Sequence, residues 1–197
     1  YTIKSHTCNY TQDEAHGMAY CKCGRSHAHR DLSEEKSVLV NGVCPICGYH
    51  CPHKNIGDDG VCKDCNAKMV AKVTVGETTT YTADLADALN KAANGTTLTL
   101  LANTMLPDGI YVSKTLTLDL DGHSLSGYSL NVGGLTATSQ VRTGKLTVID
   151  SSGGNGAVGV TVRDGGTLVF DPKNDHTTLL QLEVWGGTIE LYGGKIL

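Results

Sequence analysis

The chain has 197 residues, a formal net charge of −4, 40% apolar residues and only 5% aromatic ones, a size that fits one large domain or two small ones. Acids and bases balance at eight each through residue 70, so the negative excess lies beyond it and no basic footprint for a phosphate backbone is present, which sets nucleic acid aside as a partner. No apolar run reaches the ~20 residues of a membrane span, and a start at Tyr1 without a signal peptide is what a processed or excised fragment would show.

Composition changes abruptly near residue 70. All eight cysteines lie between Cys8 and Cys65, six of the eight histidines lie at or before His53, and the single Phe and single Trp both come later. Some 70 residues with so few large apolar side chains would be marginal without crosslinks. The expected organisation is a metal-binding module over 1–70, a linker and capping helix over 71–95, and a β-solenoid starting at 96 and running to 197.

Within the first region the ligand-type residues fall into a repeat of tight pairs. His6 and Cys8 are followed by Cys21 and Cys23, then His27 and His29 by Cys44 and Cys47, then Cys51 and His53 by Cys62 and Cys65. Each unit supplies four N or S ligands, the number that closes a structural zinc site. The expectation is therefore up to three structural zinc ions in small ribbon-like units, with metal binding supplying folding energy. The Cys44–Cys47 and Cys62–Cys65 knuckles share a frame: Asn41-Gly42 and Asp59-Gly60 are turn dipeptides ahead of them, and Gly48 and Asn66 tolerate positive φ just after them. A cross-braced pairing would use the same residues, and His16 is an alternative to His6. Four disulfides would leave the interleaved histidines without a role. A redox reading of Cys44–Cys47 lacks its βαβ context, and a catalytic zinc would keep an open position that sets of four do not leave.

After a short stretch at 73–75, the next element is predicted as a helix from Thr82 to Asn94. Thr82 is the N-cap, Leu85, Ala88, Leu89 and Ala92 form one apolar stripe, and Asn94-Gly95 stops it. Strict alternation then marks strands at 97–100 and 115–120. Glycine-led strands begin at Gly144, Gly165 and Gly186, 21 residues apart, and Val160-x-Val162 returns as Leu182-x-Val184 after 22. Such spacing indicates a mainly β fold built as a helix-capped parallel β-helix, with an antiparallel sandwich as the alternative. Leu146, Val148, Leu168, Phe170, Ile189 and Leu191 are expected to stack inward, the intervening Thr, Asp and Lys to face water, and the end at Leu197 to be a truncation of the solenoid.

The run from "YTADLADALNKAANGTTLTLL" through "GKLTVID" and "GGTLVF" to "GGTIELYGGKIL" resembles pectin-lyase-like right-handed β-helix regions in surface proteins of Gram-positive bacteria, and the doubled "GVCxxC" with a nearby C-x-H resembles their zinc-ribbon-like modules. The resemblance implies a right-handed coil, an extracellular or cell-wall-attached location, and adhesion or glycan association. The expected function is that of a non-enzymatic surface fragment, with zinc as staple and the β-helix as stalk or binding platform for a glycan or a cell-surface protein. The segment from Tyr128 to Arg142 is its candidate contact loop, through Tyr128, Gln140 and Arg142. Two alternatives differ in class. One is the N-terminal part of a carbohydrate-active enzyme whose catalytic coils lie beyond residue 197. For it Asp119, Asp121, Asp150, Asp164, Asp171, Asp175, Arg142 and Arg163 are the available groups, although the favoured reading of Asp before Gly or Pro, as in Asp121-Gly122, Asp164-Gly165 and Asp171-Pro172, is a corner residue. The other is an intracellular zinc-module scaffold.

Overall fold

The computed structural model describes residues 10–13, 18–21, 26–28, 30–31, 36–37, 39, 43–57 and 59–197. The chain divides into two compact units, Tyr1–Lys68 and Met69–Leu197. In the first, β1 (Tyr10–Asp13), β2 (Met18–Cys21) and β3 (Ser26–Ala28) form an antiparallel sheet in that order, and β4 (Arg30–Asp31) pairs with β5 (Lys36–Ser37). Isolated bridges join Val43 to His50, Ile56 to Cys62 and Val61 to Lys68.

The second unit is mainly β with one short helix. In chain order it contains β6 (Ala71–Val75), β7 (Thr78–Thr82), α1 (Leu85–Lys91), β8 (Thr96–Leu100), β9 (Thr104–Leu106), β10 (Ile110–Val112), β11 (Thr115–Asp119) and β12 (Ser124–Val132). There follow β13 (Gly134–Leu135), β14 (Val141–Arg142), β15 (Gly144–Ile149), β16 (Ala157–Val162), β17 (Gly166–Phe170), β18 (Thr178–Val184), β19 (Thr188–Leu191) and β20 (Lys195–Ile196). From β8 onward the chain passes back and forth between two sheets. β8, β11, β15, β17 and β19 are parallel neighbours in one, and β10, β12, β16, β18 and β20 in the other, with β9 also on β12. Parallel pairing overturns the antiparallel sandwich for this stretch. β6 and β7 extend the first sheet as an antiparallel hairpin beside β8, an element the sequence indicated only as a short stretch at 73–75.

Alternation explains the packing. Leu98, Leu118, Val148, Phe170 and Leu191 are register partners across the first sheet, as are Thr96, Leu116, Leu146, Leu168 and Ile189. Opposite them run Ile110–Leu130–Val160–Leu182 and Val112–Val132–Val162–Val184. Except at Val184 and Leu191, which stay exposed, these rows meet in one apolar core, to which α1 adds Leu85 and Leu89. Fully burying side chains such as Phe170 or Leu118 is worth about 1.5–3 kcal/mol each. Threonines 97, 117 and 147 line up on the opposite face of the first sheet, in the register expected of the polar half of each strand.

Several details depart from expectation. The spacing is uneven: Thr96 pairs 20 residues on with Leu116, Leu116 pairs 30 residues on with Leu146, Gly144 pairs with Gly166 rather than Gly165, and Thr167 pairs 21 residues on with Thr188. The longest step holds the nine-residue β12 and the β13–β14 hairpin, so Tyr128 sits in a strand, not in a loop. Leu191 is 46% exposed because β19 is an edge strand with a neighbour on one side only. Asp150, expected to face water, is buried at its strand end, as is Asp119. The helix is shorter than predicted. Asp84, not Thr82, is its N-cap, accepting from Asp87 N at 2.9 Å, while Thr82 Oγ1 accepts from Asp84 N at 3.0 Å one step earlier. Ala92 already has extended ψ, which ends the helix before Asn94.

Candidate metal centre

The two knuckles that look alike in sequence are alike in backbone. Cys44 N donates to Tyr49 O and Gly48 N to Cys44 O, at 2.8 and 2.9 Å; Cys62 N donates to Ala67 O and Asn66 N to Cys62 O, at 2.9 and 2.7 Å. Gly48 and Asn66 have φ of 69° and 60°, the left-handed conformation that reverses the chain after each Cys-x-x-Cys. The turn ahead of the second knuckle is closed by the Asp59 carboxylate, which accepts from Val61 N at 3.0 Å.

Cys51, His53, Cys62 and Cys65 come together with all four ligand atoms within 4.8 Å of one another. The backbone at His53 is left-handed, φ 49°, just after Pro52, so that residues two apart in sequence face one point. The Cys51 and Cys62 sulfurs are 3.7 Å apart, and His53 Nδ1 lies 3.4 Å from Cys65 Sγ. A tetrahedral ion with metal–sulfur bonds of about 2.3 Å and a metal–nitrogen bond of about 2.0–2.1 Å requires separations of about 3.8 Å and about 3.5 Å. The cluster therefore fits a four-coordinate metal ion, with His53 presenting Nδ1.

Its electrostatics suit a soft cation. Burial pushes the Cys51 thiol well up from its ordinary range and the Cys65 thiol up as well, and burial pulls the His53 imidazole down against a smaller opposing effect of the Asp64 charge. These shifts favour the protonated Cys51 and Cys65 thiols and the neutral His53 ring, and a bound cation would displace the thiol protons. Four protein ligands would leave a tetrahedral ion no open position for water.

The other predicted ligands are described less completely. Cys44 is buried and Cys47 partly buried, and Gln12 Nε2 donates to Cys47 Sγ at 3.5 Å. Gln12 lies 35 residues away, a contact with no sequence signal. Cys21 and His27 are placed in β2 and β3 by their backbones alone. His6, Cys8, Cys23, His29 and the alternative His16, with Asn41-Gly42, lie outside the described residues. His50 is exposed.

Among the carboxylates and arginines weighed for catalysis, Asp150 accepts hydrogen bonds from Gly122 N, Ser152 Oγ, Gly156 N and Thr177 Oγ1, and Asp119 accepts from Asp121 N and Ser151 N. Asp121-Gly122 and Asp164-Gly165 sit in turns, and Asp171 pairs with Lys173. Arg163 Nε donates to Asn131 Oδ1 at 3.0 Å, and Arg142 stacks on Tyr111 with Cζ 4.6 Å from the ring centroid. Among the described residues no helix is long and apolar enough to cross a membrane. Comparison of the chain with protein-family models, with curated protein sequences and with solved structures finds no match.

Proposed function

We propose that the chain is a non-enzymatic fragment of an extracellular or cell-wall-attached surface protein. In this reading up to three structural zinc ions pin the N-terminal module. The second unit is a right-handed parallel β-helix serving as stalk or binding platform for a glycan or a cell-surface protein. The passage of the chain between two parallel sheets supports the coil, and the strong general preference of parallel crossovers supports its right-handed sense. Zinc is favoured over harder cations by three thiolates and one imidazole.

The observation that carries the binding reading is the use of the carboxylates. Asp150 spends both oxygens on backbone amides and hydroxyls, Asp119 spends Oδ1 on two backbone amides, and both are buried at the corners, which suits them to structure rather than to acid or base work in a cleft. The mechanism is then display: a rigid sheet surface presents side chains to a ligand that is held, not cut.

Retention of the zinc-loaded chain on an array of glycans and extracellular proteins, with chromatography of retained glycans for released oligosaccharides, tests this. The expected result is retention of at least one array member with no release. Released oligosaccharides would overturn the non-enzymatic reading, and absence of any retention would overturn the platform.

A further inference from the structure

Two adjoining clefts on the second unit form a site that neither the metal cluster of the first unit nor the corner carboxylates explain. Tyr111, in the middle of β10, is turned outward because its neighbours Ile110 and Val112 are buried in the core. The β13–β14 hairpin pairs Gly134 with Arg142, and this carries the Arg142 guanidinium over the Tyr111 ring. Stacking fixes the guanidinium while using none of its N–H donors, and among the described residues Arg142 has neither an ion pair nor a side-chain hydrogen bond. Tyr111 remains 47% exposed with the guanidinium upon it.

A cleft of about 490 Å³ opens here, between Asn90 of α1, Asp108, Tyr111, Ser113 and Arg142. On the other side of Ser113 lies a second cleft of about 370 Å³, lined by Asn94, Lys114, Thr143, Lys145 and Thr167 among others. Lys114 is anchored by donating to Ala92 O, whereas Lys145 is exposed. Beyond residue 70 the chain has twelve acids and eight bases. Even so, three of those bases, Arg142, Lys114 and Lys145, line the two clefts with a single carboxylate, Asp108. A local cationic field on an acidic unit selects an anion. Beside the half-exposed Tyr111 ring the first cleft adds Asn90 and Ser113 to the apolar Ala86, Pro107 and Ile110. The second is lined mainly by Asn94 and threonines, and this combination of apolar and hydrogen-bonding surface suits a polyol with C–H faces.

We propose that these clefts bind an acidic sugar, a uronate-bearing stretch of glycan whose carboxylate is held by Arg142 with support from Lys145, and whose ring rests by Tyr111. The proposal rests on the glycan-platform reading above and names its site and ligand class.

The test is calorimetric titration of the zinc-loaded full chain with a hyaluronan hexasaccharide and a guluronate hexamer, each also in carboxyl-reduced form, and with hexaglutamate. At least one uronate oligomer should bind, with its reduced form and hexaglutamate at least about tenfold weaker, and Arg142→Gln should weaken binding about tenfold, the worth of one charge-assisted hydrogen bond. Lys145→Gln, on an exposed side chain, should give a smaller loss and a shallower salt dependence, and it keeps the test readable if Arg142→Gln does not fold. Equal binding of the reduced form overturns the carboxylate's role, and equal binding of hexaglutamate overturns the sugar in favour of an acidic peptide. Unchanged affinity in Arg142→Gln removes the site. If no uronate binds while another glycan is retained on the array, the cleft assignment fails and the platform stands. If no glycan is retained at all, both glycan readings fail together.

Discussion

Asp150 holds the turns between strands together at one point. It is 3% exposed, and its two oxygens accept from Gly122 N and Ser152 Oγ at 2.8 Å, from Gly156 N at 3.1 Å and from Thr177 Oγ1 at 2.7 Å. Residues 122 and 177 lie 28 and 27 positions away, so one carboxylate ties together three successive passes of the chain. Burial alone would raise its pKa, but the bonds from Thr177, Ser152, Gly122 and Gly156 outweigh burial and hold it below the usual carboxylate range. A folded pKa below the unfolded value of about 3.9 means that the unfolded chain binds the extra proton first. The stabilisation is therefore complete above about pH 4 and is lost as the pH falls through the folded pKa. Asp150→Asn, which keeps the shape but loses the charge and turns an amide donor toward buried donors, should cost about 2–4 kcal/mol at pH 7. Its Tm deficit should narrow steadily below about pH 4, and a deficit independent of pH would show that the charge does not matter. This role is not legible in the sequence, because the position follows an alternating strand and reads as its solvated end. The Cys-x-x-Cys knuckles were legible for the opposite reason: their turn, their positive-φ residue and their sulfurs are all local.

At the scale of the element, strands were legible and their register was only partly so. Alternation identified Leu146, Val148, Leu168 and Phe170 as inward-facing, because one buried face demands period two whatever the strand's neighbours are. The step from strand to strand depends on what happens at the corners, and there a glycine can shift the count by one. Gly144 and Gly166 are register partners at the starts of β15 and β17, and each meets a carbonyl from the facing sheet: a Cβ on Gly144 would overlap Val112 O, and one on Gly166 would overlap Val132 O. Val112 and Val132 are themselves register partners, so the same close approach occurs twice, one strand apart. Pairing of Gly144 with the second glycine of Gly165-Gly166 follows from that approach, and it sets the 22-residue step where the sequence pattern alone suggests 21. Gly166→Ala forces backbone apart in a packed corner and should cost about 2–4 kcal/mol. Gly153→Ala has a strained φ of 67° but open space around the new methyl, and should cost only about 1–2 kcal/mol. Denaturant midpoints of the two variants compare them directly; equal losses would mean that the corner relaxes around the methyl group. The helix cap was misread for a related reason: Thr82 and Asp84 are both good capping residues, and only the chain path, with Thr82 already ending β7, gives the role to Asp84.

At the scale of the molecule, the two units differ in what holds them. The second has a continuous apolar core drawn from both of its sheets and from α1, with every member at or beyond Val70. In the first, the buried apolar residues among those described are Ala19, Leu39 and the cysteines 44, 51, 62 and 65, so sulfur makes up most of what is out of water. Closely spaced buried thiols without an ion lose the attraction that would hold them together, whereas structural zinc contributes about 10–16 kcal/mol in small modules of this kind. Metal removal should therefore unfold the first unit and spare the second. Trp185, the single tryptophan, belongs to β18's end of the second unit and reports on that unit. On addition of a strong chelator under reducing conditions, new proteolytic cleavages should appear before Met69. The Trp185 emission spectrum should stay unchanged, and the thermal transition of the second unit should shift by no more than a degree or two. Cys62→Ser should reproduce part of this without chelator, lowering the bound metal by one ion per chain by mass spectrometry. Loss of the Trp185 signal with the metal would mean that the second unit takes stability from the first, and its apolar core would then not suffice by itself. Metal removal without new cleavage before Met69 would mean that side-chain packing, rather than the cation, holds the cysteine-rich unit.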